Sequence, residues 1–461
     1  MGSSSRINRS SIHLKVAIVS LVAAVVSAAN CIAAYCSVLH DEAHFATRGA
    51  YLYVVPRNGL LQKIDTESGR VLWTSQDEYE GRPLRGSAYT TPVFADGQFF
   101  TLEMDNLRLL SVDCGTGHLT MVHQYGSWSG TTAVVPYAPI LCGDLILTGA
   151  TFFVQALQPS EKSLRWNIGY KTGEFTHLWD YFLSGNSLYI LVNSLLKRSH
   201  AQEDIPQSLR TGDYLIDETL SEFEMVELDC STGKTLSRFG KDTFLNDTTS
   251  KIERTYATGE WEGKKLIFMT YTDDSRIPVH RLFGFDPVSK SVTILVEQLN
   301  HPTYSTKVQD IGHKPLVTNG AVFYSVQYPD TALGTLAARD LKNDKMLWHT
   351  ETVEVPYAAA KDKLFTNVRH RESDQLNCRN AQTGELIWTR KLKRLQPFHK
   401  VCEVGVSNGR VYVLSSEYMR ALDATNGEEI WAVQLESTED HYGETTESIW
   451  SRISEYFHRL F

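Results

Sequence analysis

Ile64-Asp65-Thr66-Glu67-Ser68-Gly69-Arg70-Val71-Leu72-Trp73 decides the fold, because the stretch returns along the chain. Its clearest copies are Leu422-Asp423-Ala424-Thr425-Asn426-Gly427-Glu428-Glu429-Ile430-Trp431 and Asn380-Ala381-Gln382-Thr383-Gly384-Glu385-Leu386-Ile387-Trp388. In each, a polar residue stands eight before Trp and a Gly stands four before it. That frame fits eight places, starting at Asp65, Asp113, Gln158, Asp229, Asp286, Asp340, Asn380 and Asp423. The glycine is kept at Gly69, Gly117, Gly233, Gly384 and Gly427, and the indole at Trp73, Trp166, Trp348, Trp388 and Trp431. The copy at Asp286 keeps neither and is the weakest.

A second signal precedes each copy: a turn, then alternating apolar residues, at 49–55, 97–102, 143–148, 185–192, 263–270, 320–326, 361–368 and 409–414. Period-two alternation bounded by Gly, Asn and Asp predicts a half-buried antiparallel strand. Asn58-Gly59 predicts a tight hairpin into the next strand. Each unit thus reads as a strand, a strand ending at the polar position, a Gly turn and a strand carrying Trp. Copies recur every 40 to 71 residues. Short strands at periods of ~40–50 residues are propeller blades, and eight falls within the usual ~4–8. The predicted fold is therefore an all-β, eight-bladed propeller over 41–435, with a segment 1–40 before it and a linker and tail over 436–461. The first blade's outermost or innermost strand comes either from residues 41–50 or from the chain's end.

The motif has a structural reading. Gly permits the positive φ that a turn needs. Asp or Asn bonds the turn backbone. Trp fills the gap between neighbouring blades, and its indole N–H needs a partner.

The AxDxxTGxxxW pattern, best matched at 423–431 and 380–388, resembles that of the PQQ-like β-propellers, whose blades lock through a Trp-docking motif. The resemblance covers roughly residues 45–435 and is specific for fold. For function it implies two alternatives, since the fold serves enzymes and scaffolds alike. Quinoprotein dehydrogenases of this family bind pyrroloquinoline quinone and a metal ion over the central funnel, and several stack the quinone on an adjacent Cys-Cys disulfide. Here no two cysteines are adjacent, Cys-x-x-Cys-His is absent, and no catalytic Asp stands in a recognisable local motif. The non-enzymatic members match better in size: a bacterial outer-membrane assembly lipoprotein subunit and lumenal domains of eukaryotic stress sensors and insertase complexes. The resemblance thus implies a non-enzymatic scaffold without a cofactor, whose loops and tail hold partner proteins. The alternative is a quinoprotein alcohol or sugar dehydrogenase using pyrroloquinoline quinone with a calcium ion.

The two ends carry signals of their own. Val16 to Leu39 is 24 residues without a charge, preceded by Arg6, Arg9 and Lys15 and followed by Asp41 and Glu42. A bilayer span needs ~20 mostly apolar residues, so one reading is a signal-anchor helix. The other is a cleaved signal peptide, with Val26-Ser27-Ala28 as its small-residue site. Both readings export the body, since the positive flank stays inside. The expected location is the secretory lumen, the cell surface or the medium, or the periplasm if bacterial. Asn30 before Cys31 and Tyr35 before Cys36 speak against a lipoprotein anchor. In the tail, Ile449, Trp450, Ile453, Tyr456, Phe457 and Leu460 follow a helical stripe. Such an amphipathic helix fits its own propeller, a partner groove or a membrane surface.

Composition narrows the classes further. The 461 residues are 42% hydrophobic and 21% charged, an ordinary globular balance that excludes disorder of the whole chain. The net charge is −9, and taking away the three positives of the first forty residues leaves −12. So acidic a body is a poor partner for nucleic acid or an anionic membrane. Seven cysteines without a CxxC make no disulfide scaffold, and the five in the body leave at least one free thiol. Asn246-Asp247-Thr248 is the body's glycosylation candidate. Gly126-Ser127-Trp128-Ser129-Gly130 imitates a nucleophile elbow but holds Trp128 at the nucleophile position. His40-Asp41-Glu42-Ala43-His44 lacks the Glu that a zinc protease places directly after its first His. No metal site is expected. The longest interval, 158 to 229, holds a polar run over 197–213 (Lys197, Arg198, His200, Glu203, Asp204, Arg210), read as a solvated loop or a partner-binding loop.

Overall fold

The polar residue of each repeat ends a strand because its side chain caps the turn that follows. Asp65 Oδ1 accepts the N–H groups of Glu67 at 3.1 Å and Ser68 at 2.8 Å. Asn380 does the same for Gln382 at 2.8 Å and Thr383 at 3.0 Å. Even the weakest copy keeps it, with Asp286 accepting from Val288 at 2.9 Å and Ser289 at 3.3 Å. These side-chain bonds replace main-chain partners that the chain loses when it reverses. Gln158 is the exception. Its amide donates to Asp144 at 2.7 Å, and its turn is a short 3-10 segment, Pro159–Glu161.

The structure is a computed structural model that describes residues 43–435, apart from several stretches within that span, the longest being 196–220 and 300–313. The segment 1–40, Asn58-Gly59, the 126–130 stretch, the polar run 197–213, Asn246 and the tail with Ile449, Trp450, Ile453, Tyr456, Phe457 and Leu460 lie outside the described residues. Among the described residues no helix is long and apolar enough to cross a membrane.

Eight four-stranded antiparallel sheets follow one another along the chain, at 44–74, 93–124, 136–169, 177–240, 251–296, 316–350, 354–393 and 401–434. These are blades 1 to 8. Each of the eight is built from four consecutive strands, and a two-stranded hairpin, Glu78–Tyr79 with Arg82–Pro83, lies between the first and the second in sequence. The first strands of neighbouring blades lie against one another from blade 2 round to blade 1, so they line the central axis. The fourth strand of each blade is its outer edge. Blade 1 takes its inner strand from His44–Arg48 and blade 8 its outer strand from Glu429–Gln434, so the ring closes without exchanging a strand.

Apolar cores lie between the blades, one cluster at each of the eight interfaces. This corrects the expectation of half-buried strands. In blade 4, Leu188, Ile190 and Val192 face the blade 3 side, while Tyr189 and Leu191 face blade 5. The alternation assigns residues to two cores rather than to core and solvent, because each blade is covered on both faces. The solvent-facing alternation appears instead on outer strands such as Glu429–Gln434, where buried Trp431 sits among exposed neighbours.

Candidate functional site

The eight blade interfaces carry the chain's distinctive chemistry. Trp73 reaches blade 2 and donates its indole N–H to the Cys114 carbonyl at 3.2 Å. Trp166 donates to Cys230 at 2.7 Å, Trp348 to Ala381 at 2.9 Å and Trp388 to Ala424 at 3.3 Å. Trp431 closes the ring by donating to Thr66 at 3.0 Å. Each acceptor directly follows the turn-capping residue of the next blade. Each ring also lies flat on that blade's motif glycine: Trp73 on Gly117, Trp166 on Gly233, Trp348 on Gly384, Trp388 on Gly427 and Trp431 on Gly69.

Positive φ alone does not explain those glycines. Lys162, Lys290 and Asp344 hold the same turn position with φ of 50°, 55° and 52°. What the glycines uniquely permit is contact. A Cβ at Gly69, Gly117, Gly233, Gly384 or Gly427 would lie 2.6 to 2.7 Å from the indole, inside van der Waals contact. The glycine is lost only where the preceding blade has no tryptophan to seat.

Three interfaces are therefore built otherwise. Between blades 4 and 5, Ser237 stands in the indole's place, and Lys290 in the glycine's place reaches back to Glu227 at 2.7 Å and to Ser237 at 3.3 Å. Ser187 also donates to Glu227, at 2.9 Å. These bonds hold the Glu227 carboxyl below the usual range against a burial effect that raises it. Between blades 5 and 6, the Glu297 N–H donates to Asp344 at 3.1 Å and Arg339 donates to the Gln298 carbonyl at 3.0 Å.

The interface between blades 2 and 3 is open. In the tryptophan-bearing blades the outer strand slips by one residue beside the turn, and Trp388 pairs with Cys378 just past that bulge. Blade 2 lacks the bulge there, so Thr120 pairs with Ser111 at the equivalent point. The repeat frame points to Met121, but that side chain packs into the core between blades 1 and 2. Thr120 leaves much of an indole's volume empty. A cleft of about 540 Å³ results, lined by Gln98, Ser111 and Thr120 on one side and by Asp144, Pro159 and Lys162 on the other.

The axis side is occupied by ties between blades. Asp180, on the inner strand of blade 4 (His177–Ser184), accepts the Ala257 N–H of blade 5 at 2.9 Å and the Tyr181 N–H at 2.8 Å. Burial pushes its carboxyl above the usual range, opposed by Lys314 at 3.8 Å. Tyr137 and Tyr181 donate to the Leu178 and Ala138 carbonyls at 2.6 and 2.7 Å. At the ring closure Glu403 accepts the Phe45 N–H at 2.9 Å. A quinone with calcium needs converging oxygen donors and a free flat ring to stack on. Among the described residues no group of three or more His, Cys, Asp or Glu side chains is placed to hold a metal ion. The motif tryptophans stand on outer strands with their N–H groups bonded across interfaces. The five motif tryptophans are thus engaged in docking the blades.

Sequence reading missed Thr120, Lys162, Lys290, Asp344 and Glu227. A signal was available: each copy lacking Trp, at 113, 229 and 286, is followed by a copy lacking Gly, at 158, 286 and 340.

Solved structures similar to the chain include the computationally designed Ika8 protein, with a TM-score of 0.50 and 11% identity over 86% of this chain and 97% of that one. Saccharomyces cerevisiae Sqt1 gives 0.51 and 11%, over 82% and 94%. The dihydro-heme d1 dehydrogenase NirN in complex with DHE gives 0.54 and 11%, over 84% and 74%. At these identities the likeness is one of fold. No curated protein matches the sequence. The family model described as outer membrane protein assembly factor BamB, a model of PQQ-type repeats, matches residues 25–176 and 332–451, more than half of the chain. The chain is thus a member of that PQQ-type propeller family.

Proposed function

We propose that this propeller is a non-enzymatic scaffold, exported or membrane-anchored through residues 1–40, that holds partner proteins on its outer surface. The observation that carries this reading is the outer rim, where apolar side chains stand exposed on the edge strands of six successive blades, Leu164 on blade 3, Leu236 on blade 4 and Ile294 on blade 5 among them. Leu386 and Ile387 on blade 7 are 51% and 44% exposed, Leu347 on blade 6 is 43% and Ile430 on blade 8 is 43%. They stand on edge strands, Met346–Thr350, Leu386–Lys393 and Glu429–Gln434, which face outward with an unpaired side. An edge with apolar side chains offers main-chain bonds and burial to another protein. Membership of a family described as assembly factors supports the same reading. The charge pattern before Val16 supports placing the body on the exported side.

The test sets scaffold against quinoprotein. Purified full-length chain is mixed with pyrroloquinoline quinone and calcium, and membranes of the native host are cross-linked in parallel. The scaffold reading expects discrete cross-linked partners and no dye reduction with an alcohol or sugar. Saturable quinone absorbance together with dye reduction would contradict it.

A further inference from the structure

We propose that the open interface between blades 2 and 3 is a receptor for an aromatic side chain, best a tryptophan, presented by a partner protein. This rests on the scaffold reading and gives it a site and a partner chemistry. Five interfaces of the molecule define what such a slot accepts: a flat indole, seated on the next blade's turn, with its N–H on the carbonyl after the capping position. In blade 3 that carbonyl belongs to Pro159, which lines the cleft. It accepts the Lys162 N–H at 3.2 Å and keeps a second lone pair for an indole.

The other two tryptophan-free interfaces are closed by their own side chains, through Lys290 and Glu227 in one and Asp344 and Arg339 in the other. Among the described residues Lys162 makes no equivalent crossing to blade 2, and it stands exposed at the lip of the cleft. It also has a Cβ, so a guest ring cannot lie on this turn as closely as Trp431 lies on Gly69. The cleft of about 540 Å³ is wide enough for the ring to sit further out, where the Lys162 ammonium can cover its face. Phe100 and Val122 give the cleft its apolar wall, and Gln98 and Ser111 its polar one. Tryptophan satisfies both, being apolar in body with one N–H to place.

The full-length chain is titrated with N-acetyl-tryptophanamide, and with N-acetyl-leucinamide as the control, by ligand-observed NMR. Saturable binding of the tryptophan probe alone is expected. The double variant Thr120→Trp with Lys162→Gly supplies a resident indole and a glycine seat, so it should weaken the probe at least about tenfold and raise the melting temperature. Lys162→Glu, on an exposed turn, keeps the fold if the double variant does not, and should weaken the probe about threefold or more. Equal binding of the two probes, or wild-type binding in either variant, overturns the proposal. So does binding that appears only after Trp450→Ala, which would make the chain's own tail the occupant. If every partner cross-linked to the wild-type chain is still cross-linked to the double variant, the slot holds none of them and is overturned, while the scaffold reading stands. Absence of any cross-linked partner on the wild-type chain would overturn the scaffold itself.

Discussion

Gly69→Ala places a methyl group 2.7 Å from Cδ2 of Trp431, at the junction where blade 8 meets blade 1. Two costs add there. A side chain at φ +72° costs about 1–2 kcal/mol. Forcing the indole off its seat costs a further ~1–3 kcal/mol, as overpacking does elsewhere. The expected loss is about 2–5 kcal/mol. Gly97 measures the first cost alone, since its φ is +76° and a Cβ there would meet nothing within 4 Å. Gly97→Ala should therefore cost only about 1–2 kcal/mol. Trp431→Ala removes the ring, at about 3–5 kcal/mol. Once the ring is gone, Gly69→Ala should fall back to the Gly97 value. The double-mutant cycle then gives a coupling of about 1–3 kcal/mol. Urea unfolding of wild type, Gly97→Ala, the two single variants and the pair measures it, read from midpoints at unchanged slope. A Gly69→Ala cost no larger than that of Gly97→Ala, or a cycle additive to within about 0.5 kcal/mol, refutes the seat.

Three further outcomes are expected. Bonds from Ser231 and Thr232 hold the Asp229 carboxyl below its ordinary value of 3.8, so its contribution is present above that value and is lost as pH falls through the lower folded one. The melting-temperature advantage of wild type over Asp229→Asn should therefore shrink on acidification below about pH 3.8; a constant gap would count against the cap. Arg379→Ala strands the Glu354 carboxylate, which is 2% exposed and bound by Arg379 Nη2 at 2.6 Å, and should cost about 3–5 kcal/mol, seen as a fall in urea midpoint. Cys142, Cys230 and Cys378 are buried free thiols, and burial pushes Cys378 up to about 11, so iodoacetamide should leave all three unmodified in the folded chain and label them in urea, by mass spectrometry.

The propeller was legible because its turns are chemical. Asp, Asn and Gly announce themselves in sequence, and each of the eight frames falls on the reversal between the third and fourth strands of a blade. The inner strands were not legible. Val93–Ala95 and Leu316–Thr318 are only three residues long. The inner strands of blades 3, 4, 5, 7 and 8 carry bulges that break the period-two pattern. Nor could letters alone show that Thr120 replaces an indole, since the missing bulge in blade 2 moves the frame by one residue. The role of the glycines was hidden in the same way: a turn that accepts Lys162 and Lys290 at positive φ does not require glycine for backbone freedom alone.

The central functional claim is that the outer rim of the propeller holds other chains. A photo-crosslinking residue placed in turn at Leu347, Ile387 and Ile430, in full-length chain expressed in its native host, tests it most directly. Discrete adducts of defined mass should form from all three positions, and none from Val192, which is buried between blades. The absence of adducts from the rim, in chain that reduces dye when given quinone and calcium, would contradict the account.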